Sequence, residues 1–474
     1  MIRVGLARVA PTYQGLVAPW AAPSPVHDAV CRAVAAFGLE PAKAGADDWN
    51  PLGTIVRPGG SIVLKPNFIR HWNPGLAPNA SVASVITHGA VVRALVDLAF
   101  RAVGASGSVT IAEAPQQDCD FARIREIAGL DAMQADFARA GLTLAVIDLR
   151  REEVVSADGV ITQRRALPGD PLGYREVDLG GMSFFERSGL DPSGFRGADY
   201  DPGPTISNHS AGRHAYLLSE TVLRADLIVN LPKWKTHKKT GVTLALKNLV
   251  GINGDKNWLP HHTIGSNGDE FPSGAISWLD RARSRAVELA RGPLARGRAV
   301  GLVRGLRRLE NALRGDEFIR AGNWHGNRTT WRMVCDLNRC VYYSDAHGLH
   351  LDAPAPVRRV LTVLDGVIAG EGEGPLAPRD VPLGLVLASL DPIALDLAAV
   401  RLMGFDEQRI PKIREAMRDA GPRFTGVRRV EDVMVCEFVS GRRSDTPLEQ
   451  LDHASRFAPH PGWCGHIERE EDVR

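Results

Sequence analysis

The chain has 474 residues, of which 44% are hydrophobic and 24% are charged, and its formal net charge at pH 7 is +2. This composition is that of a globular protein long enough for two domains, and the near-neutral charge provides no overall field that would favour nucleic acid. No apolar run reaches the length of a membrane-spanning helix, and the opening stretch, MIRVGLARVAP, is too short and too broken for the apolar core of a signal peptide.

The first part of the chain alternates between strand and helix patterns. Apolar stretches at 60–68, 108–115 and 142–149 predict strands. Between them, residues 87–105 have apolar side chains at helical spacing and a glycine near the end, and residues 121–140 form a second helical stretch. This β-α-β-α-β order predicts a parallel sheet with helices on its faces.

The middle of the chain is less regular. Residues 151–215 are rich in Gly, Asp, Ser and Pro, and they predict an irregular excursion with one short β element at 174–181. The sequence HAYLLSETVLRA, residues 214–225, predicts a helix. The apolar stretch at 226–232 predicts a return to the sheet.

Residues 281–320 differ in composition from the rest of the chain. They are dense in arginine, lack lysine, and interleave arginine with Leu, Val and Ala at partly helical spacing. This pattern predicts one or two solvated amphipathic helices or a partly ordered insertion. The alternative is a helix that contacts an anionic membrane surface or a protein partner.

The last third resumes α/β order. Residues 359–378 predict a strand followed by a glycine-rich loop, whose carboxylates suit a metal ion or the lysines of another segment. Residues 383–405 predict a strand and a helix, with Asp391 as the helix cap. Residues 431–439 predict a late strand.

The cysteines predict no metal or disulfide framework. None of the six forms a C-x-x-C pair, so their spacing favours neither a zinc ribbon nor an iron–sulfur cluster. We expect free thiols in a reducing cytoplasm, with peripheral membrane contact through residues 281–320 as the alternative location.

Polar residues follow the predicted strands, where ligands bind in open α/β sheets. Lys65 and Asn67 lie at the end of the first of these stretches, directly after its apolar residues SIVL, and both can donate to an anion. His88 follows Thr87 at a predicted helix start, which disfavours a cationic imidazole and favours the neutral form that a general base requires. A capping or surface histidine is the alternative for His88.

Basic charge is densest in LIVNLPKWKTHKKTGVTLALKNLVG, residues 227–251. Lys233, Lys235 and His237 lie among further lysines there, and clustered cations repel one another unless an anion relieves the repulsion. We therefore predict an active-site loop that faces an anion, with Gly241 allowing a helix to start close to it. A solvated basic loop is the alternative.

The predicted site continues beyond this loop. Lys247 and Asn248 lie about two turns into the predicted helix, and His261 and His262 follow shortly after. The residues predicted to bind substrate are Lys65, Asn67, Lys233, Lys235 and Asn248.

Several stretches together resemble the widespread bacterial and archaeal domain of unknown function numbered 362. They are VLKPNF, ITHGAVVRALVDLAFRAVG, VTIAEAP, ADLIVNLPKWKTHKKTGVTLALKNLVG, LDGVIAGEGEGPL and DPIALDLAAVRLMGF. The resemblance runs from about residue 55 to about residue 415 and implies a fold but no established reaction. Some members carry a ferredoxin-like module, but this chain lacks the cysteines for one, so no iron–sulfur cluster is implied.

The chain also resembles the nickel-pincer lactate racemases, which have two α/β domains with the active site between them. In that family two histidines act as acid and base, a lysine tethers the pincer cofactor, and a further histidine ligates nickel. The motif THG supplies His88, and KTHKKTGVTLALKN supplies His237 and Lys247, which leaves His261 or His262 as the metal ligand. The chain departs from the family at KKTGVTLAL, where the racemases are rich in glycine.

We therefore expect an α/β protein with two α/β domains, mostly parallel sheets and an active site in the cleft between the domains. Residues 1–265 form the predicted N-terminal domain with the Lys/His site, residues 266–335 an Arg-rich helical insertion or linker, and residues 336–474 the C-terminal domain.

The expected function is that of an enzyme acting on a small anionic substrate, such as a hydroxy acid or a sugar acid. Proton or hydride transfer at His88 and His237 would resemble an isomerase, an epimerase or an oxidoreductase. The alternatives are a non-catalytic protein that binds anions or assembles on a membrane, and a metal-dependent hydrolase. The sequence does not identify the cofactor, and the two possibilities are a metal ion and a pincer cofactor tethered at Lys247.

Overall fold

The structure is a computed structural model. It describes residues 1–470 apart from 15, 17, 19, 21, 78, 79, 158, 159, 273–277, 296–299 and 302–320. Within these residues no helix combines the length and the apolar character that crossing a membrane requires.

The described chain alternates between strands and helices. The strands are β1 (Ile2–Arg8), β2 (Ser61–Pro66), β3 (Ser108–Glu113), β4 (Leu144–Asp148), β5 (Glu152–Ala157), β6 (Val160–Ala166), β7 (Tyr174–Asp178), β8 (Phe195–Arg196), β9 (Ala215–Ser219), β10 (Leu227–Leu231), β11 (Lys233–His237), β12 (Gly241–Val242), β13 (His262–Thr263), β14 (Arg359–Glu373), β15 (Ala377–Val381), β16 (Leu385–Ser389), β17 (Val433–Val439) and β18 (Arg442–Pro447). The helices are α1 (Pro25–Phe37), α2 (Gly89–Val103), α3 (Phe121–Ala128), α4 (Leu130–Arg139), α5 (Gly203–Asn208), α6 (Glu220–Leu223), α7 (Leu244–Asn248), α8 (Trp278–Ala295), α9 (Thr330–Tyr343), α10 (Pro392–Leu402) and α11 (Pro411–Arg418).

One sheet of twelve strands organises the fold. Nine strands follow the order β18-β17-β1-β16-β14-β10-β2-β3-β4, while β11 and β15 pair with β14, and β12 pairs with β11. The run β14-β10-β2-β3-β4 is parallel throughout. The predicted α/β class with mostly parallel strands is therefore confirmed.

Helices cover both faces of this sheet, as a parallel sheet requires. In β10, Leu227 and Val229 pack into an apolar cluster with α1 and α2, whereas Ile228 packs into a second cluster with α9 and α10. All five residues of β10 are buried. A strand that is apolar on both faces thus lies at the centre of two hydrophobic cores.

The sheet combines strands from both predicted domains. Strand β1 lies between β16 and β17, and β10 pairs with β14. Residues 1–265 and 336–474 therefore contribute to one sheet, and the domain boundaries and the cleft stay predictions.

Several predicted elements are confirmed. The strands predicted around 60–68, 108–115 and 142–149 are β2, β3 and β4, and the helix between the first two is α2, which ends with Gly104 at its C-cap. Asp391 caps α10 by accepting from two backbone N–H groups, as predicted.

Three other predictions were wrong. Residues 214–225 form strand β9 and the short helix α6, because antiparallel pairing with β7 overrides the helical spacing. The expected basic loop is strand β11, which pairs in parallel with β14. Lys247 and Asn248 lie in α7, which has only five residues, so they are not two turns into a helix.

The prediction of a glycine-rich loop was also wrong, because most of these residues belong to strands β14 and β15. A Cβ at Gly366 would lie 2.4 Å from the Trp234 ring, and one at Gly370 would lie 3.2 Å from the Lys235 Cβ. These glycines therefore allow β11 to pack closely against β14. Of the Arg-rich segment, α8 is helical as predicted, and residues 296–299 and 302–320 lie outside the described residues.

Candidate active site

A cavity of about 530 Å³ lies beyond the end of β11 and is lined by His237, Lys247 and His261. We call it the histidine cavity. His237 ends β11 and lies opposite Gly241 of β12 in a tight hairpin, where Gly241 has a φ of 75°. The His261 backbone N–H donates to the Arg196 carbonyl at 2.8 Å. The volume of the histidine cavity suits a small-molecule ligand.

The imidazole of His237 presents a hydrogen-bond donor to this cavity. Its Nδ1 accepts the backbone N–H of Lys239 at 3.0 Å, so that nitrogen carries no proton. Burial lowers the pKa of His237 well below its ordinary value, and the charge of Lys247 lowers it further. A neutral imidazole with a bare Nδ1 carries its proton on Nε2.

The imidazole of His261 has the opposite arrangement. Its Nδ1 lies 2.8 Å from the Leu259 carbonyl oxygen, which only accepts, so Nδ1 carries the proton. Burial and the charge of Lys247 lower the pKa of His261 to about 3. The neutral ring therefore has a free lone pair on Nε2.

The position of His261 is fixed by the segment after the Arg-rich region. Its backbone carbonyl accepts from the side chains of Asn327, at 3.1 Å, and Thr330, at 2.6 Å. Asn327 is 2% exposed, so this support is itself rigidly packed.

Two lysines of the cavity differ from the other basic groups around them. Lys247 and Lys256 make no hydrogen bond or ion pair with the residues that the structure describes, whereas the Lys239 ammonium donates to the Ala321 carbonyl. Burial lowers the pKa of Lys247 to about 7 and that of Lys256 to about 8. Nearby cations contribute to both shifts, and the charge of Glu113 opposes the shift of Lys256. Their charge is left for a ligand to neutralise.

The residues predicted to bind the anion are instead engaged inside the sheet. Lys65 donates to Glu113 at 2.6 Å, and Lys233 donates to Asp365 at 2.9 Å. Lys235 donates to the Val85 carbonyl at 2.5 Å.

Two asparagines belong to the same interior network. Asn67 donates to the Asn248 Oδ1 at 2.8 Å, and Lys65 donates to that oxygen at 3.2 Å. The histidine cavity is not lined by any of the five residues predicted to bind substrate, so their role in binding stays a prediction.

His88 lies in a different cavity, of about 860 Å³. As predicted, it stands at a helix N-terminus, where its Nδ1 accepts the Ala90 N–H, and burial lowers its pKa to about 4. Its ring stacks on Tyr13 at 3.6 Å between centroids, and Tyr13 donates to Asp365 at 2.5 Å. The structure therefore brings His237 together with His261, and not with His88.

The predicted metal ligands are not part of a larger cluster. Within the described residues, no three His, Cys, Asp or Glu side chains are grouped so that they could hold a metal ion. His262 is buried in β13, and His261 alone of the two lines the histidine cavity. A metal role for either histidine stays a prediction.

Two further residues had no predicted role of their own. Lys256 lies in the motif GINGDKNWLPHH, which belongs to the predicted functional stretch with the two histidines, but no binding or catalytic role was assigned to it. Tyr13 gave no signal, because its contact with Asp365 joins residues far apart in the chain.

Residues 177–401 match the model of the family described as Domain of unknown function (DUF362). A search of curated proteins finds no match, and neither does a search of solved structures. These comparisons show the family of that region and do not extend to a resemblance to lactate racemases.

Proposed function

We propose that this chain, whose residues 177–401 belong to the domain-of-unknown-function 362 family, is an isomerase-like enzyme that moves a proton in a small anionic substrate. The substrate would be a hydroxy acid or a sugar acid bound in the histidine cavity. The observation that carries the proposal is the opposite proton placement on His237 and His261 in one cavity.

His261 suits the role of general base. Its Nε2 lone pair can accept a proton from a carbon next to a carbonyl or carboxylate. A pKa of about 3 makes the free imidazole a weak base, but a bound anion offsets the lysine charges and raises that pKa towards the useful range.

His237 suits a different role, because a neutral imidazole gives up its remaining proton only with great difficulty. Its Nε2–H can instead donate a hydrogen bond to the oxygen on which negative charge develops. The Lys247 ammonium adds charge stabilisation at the same place. The proton on His261 then moves to the neighbouring carbon while the hydroxyl proton passes between the two adjacent substrate oxygens, which describes a 1,2-isomerisation with a single base. Return of the proton to the original carbon regenerates the substrate and is seen only as exchange with solvent.

Hydrogen exchange with solvent tests this proposal. In D₂O, the wild-type protein should introduce deuterium next to the carboxylate or carbonyl of its substrate, measured by NMR on D-glucuronate, D-galacturonate and a set of hydroxy acids. Asparagine in place of His261 should lower the exchange rate by about 10²–10⁴-fold, the usual contribution of a general base. Phenylalanine in place of His237 should lower it by about 10²–10³-fold, as loss of one oxyanion donor does.

The exposed His347 provides a matched control, and His347→Asn should exchange at the wild-type rate. Wild-type exchange by His261→Asn would contradict the proposal. Binding of the substrate should survive in the His261 variant, which separates loss of chemistry from loss of fold.

The second candidate is a non-catalytic anion-binding protein, and the unpaired Lys247 and Lys256 favour it as much as they favour the enzyme. It predicts binding without exchange and tolerance of His261→Asn. Salt sensitivity of binding is common to both candidates and does not separate them.

A tethered metal cofactor is a further alternative. The free Nε2 of His261 and the unpaired amine of Lys247 are the groups that such a cofactor would need for ligation and attachment. When bound, it would supply hydride transfer. A metal at His261 would occupy the same lone pair that the base uses, so metal analysis of protein from its native host separates the two hypotheses.

A further inference from the structure

A second, smaller cavity of about 200 Å³ adjoins the histidine cavity. We call it the side cavity. Gln117 and Lys256 line both cavities, so Lys256 stands where the two meet. The side cavity alone is lined by Arg150 and Arg151 and by two carboxylates that have basic partners of their own, Glu152 with Arg164 and Asp255 with Arg151. A ligand that reacts beside His261 can thus extend past Lys256.

The other basic groups around the two cavities have partners. Arg70 pairs with Asp118 at 2.8 Å, and Arg150 pairs with Asp148 at 2.6 Å. Arg151 lies 3.7 Å from Asp255.

Lys247 and Lys256 have no such partner among the described residues, and one lines the histidine cavity while the other stands at its junction with the side cavity. Two half-buried ammonium groups that repel one another are stabilised best by two negative charges. A single carboxylate near His261 would leave the charge of Lys256 unneutralised.

We propose that the site takes dianionic substrates, with one anionic group near Lys247 and His261 and a second at Lys256. The class comprises short-chain acids that carry a second carboxylate or a phosphate at the far end. This inference rests on the proposed function for the reacting end, and it assigns Lys256 as the residue that selects the second charge.

Calorimetric binding of matched acids tests the inference. The pairs are lactate against malate, and glycerate against 3-phosphoglycerate, in which only the second anionic group differs. One charge-assisted hydrogen bond stabilises by about 1.5–3 kcal/mol, so the dianion of at least one pair should bind to the wild-type protein about tenfold more tightly or better. The pair with the larger ratio identifies the second group as a carboxylate or a phosphate.

Glutamine in place of Lys256 should reduce that ratio to about threefold or less, without weakening the monoanion, and Lys256→Arg should preserve it. Lys43 is an exposed lysine with acidic partners of its own, and Lys43→Gln is the matched control that should leave every affinity unchanged. Equal binding of monoanion and dianion by the wild type, or an unchanged ratio in Lys256→Gln, would overturn the inference.

The same acids in the deuterium-exchange assay keep the two proposals separate. Exchange in monoanions without any preference for dianions overturns the dianion inference alone. A dianion preference that depends on Lys256, but with no exchange in any acid, overturns the enzyme and leaves the second charge site standing.

Discussion

The fully buried lysines of the interior and the half-buried lysines of the histidine cavity form a contrast. Lys65, Lys233 and Lys412 are at most 1% exposed, and each donates to a buried carboxylate at 2.6–2.9 Å. Lys247 and Lys256 are half-buried and have no carboxylate partner among the described residues. All five lysines are at least partly shielded from solvent, but of these five only Lys247 and Lys256 have a charge that is available to a ligand.

The contrast shows why a run of basic residues is a weak guide to a site. Burying a charge is tolerated when a partner compensates for it, and the fold then uses it for structure. Burial without a partner lowers the pKa of a lysine and destabilises the apo protein, and an anionic ligand can relieve that cost. The missing partner, rather than the density of lysine, therefore marks the candidate functional region.

The largest expected effect is on the free energy of unfolding, which should fall when a paired lysine is replaced but not when an unpaired one is. Methionine in place of Lys233 leaves Asp365 as an uncompensated buried charge, which should lower the free energy of unfolding by about 3–5 kcal/mol. Chemical denaturation measures this change. Methionine in place of Lys247 should change stability by about 1 kcal/mol or less at pH 7, or raise it, since no partner is left behind. Equal losses in the two variants would contradict the contrast.

A smaller loss of stability is expected when a side chain is added beside the buried Lys65–Glu113 ion pair. A Cβ at Gly251 would lie 1.8 Å from the Glu113 Oε1 and 2.6 Å from the Lys65 Nζ. Gly251→Ala should therefore destabilise the protein by about 1–3 kcal/mol, as overpacking does. Gly181 faces open space, and Gly181→Ala should stay within about 0.5 kcal/mol of wild type. A neutral Gly251→Ala would mean that the Lys65–Glu113 contact is not tight.

The pH dependence of stability should report the unpaired lysines. Their pKa falls from 10.5 to about 7 for Lys247 and to about 8 for Lys256 on folding, so the unfolded chain binds more protons between pH 7 and pH 10.5. Stability therefore rises with pH in that window. The slope, measured by denaturation at several pH values, should be shallower in Lys247→Met. An unchanged slope would show that Lys247 keeps its ordinary pKa.

The smallest effect is expected on the deuterium-exchange rate when His88 is replaced by asparagine. Asparagine is a good N-cap residue and should preserve the capping of α2. Because His88 lines a different cavity from His237, His88→Asn should change the deuterium-exchange rate by less than about threefold, well below the effect of His261→Asn. A loss as large as that of His261→Asn would restore the pairing of His88 with His237 that the sequence suggested.

The sequence predicted the parallel core of the sheet well, because strands such as β10 are apolar throughout and are bounded by clear turn residues. It also placed His237, Lys247 and His261 in one predicted site, and all three line the same cavity. It failed at β11, where Lys233, Lys235 and His237 alternate with Trp234 and Thr236. That alternation is typical of a strand, but the lysines concealed it.

The partners of the buried lysines were beyond sequence reasoning. Glu113 lies 48 residues from Lys65, and Asp365 lies 132 residues from Lys233, so only the folded chain pairs them. The protons on His237 and His261 were equally hidden, because each depends on which backbone group the Nδ1 contacts.

The proposed function depends on these two histidines presenting opposite hydrogen-bonding groups to one cavity. The most direct measurement is ¹⁵N NMR of the imidazole nitrogens at pH 7, with His237→Phe and His261→Asn to assign the signals. We expect two neutral rings, with the proton on Nε2 of His237 and on Nδ1 of His261. The same tautomer on both rings, or an imidazolium on either, would contradict it.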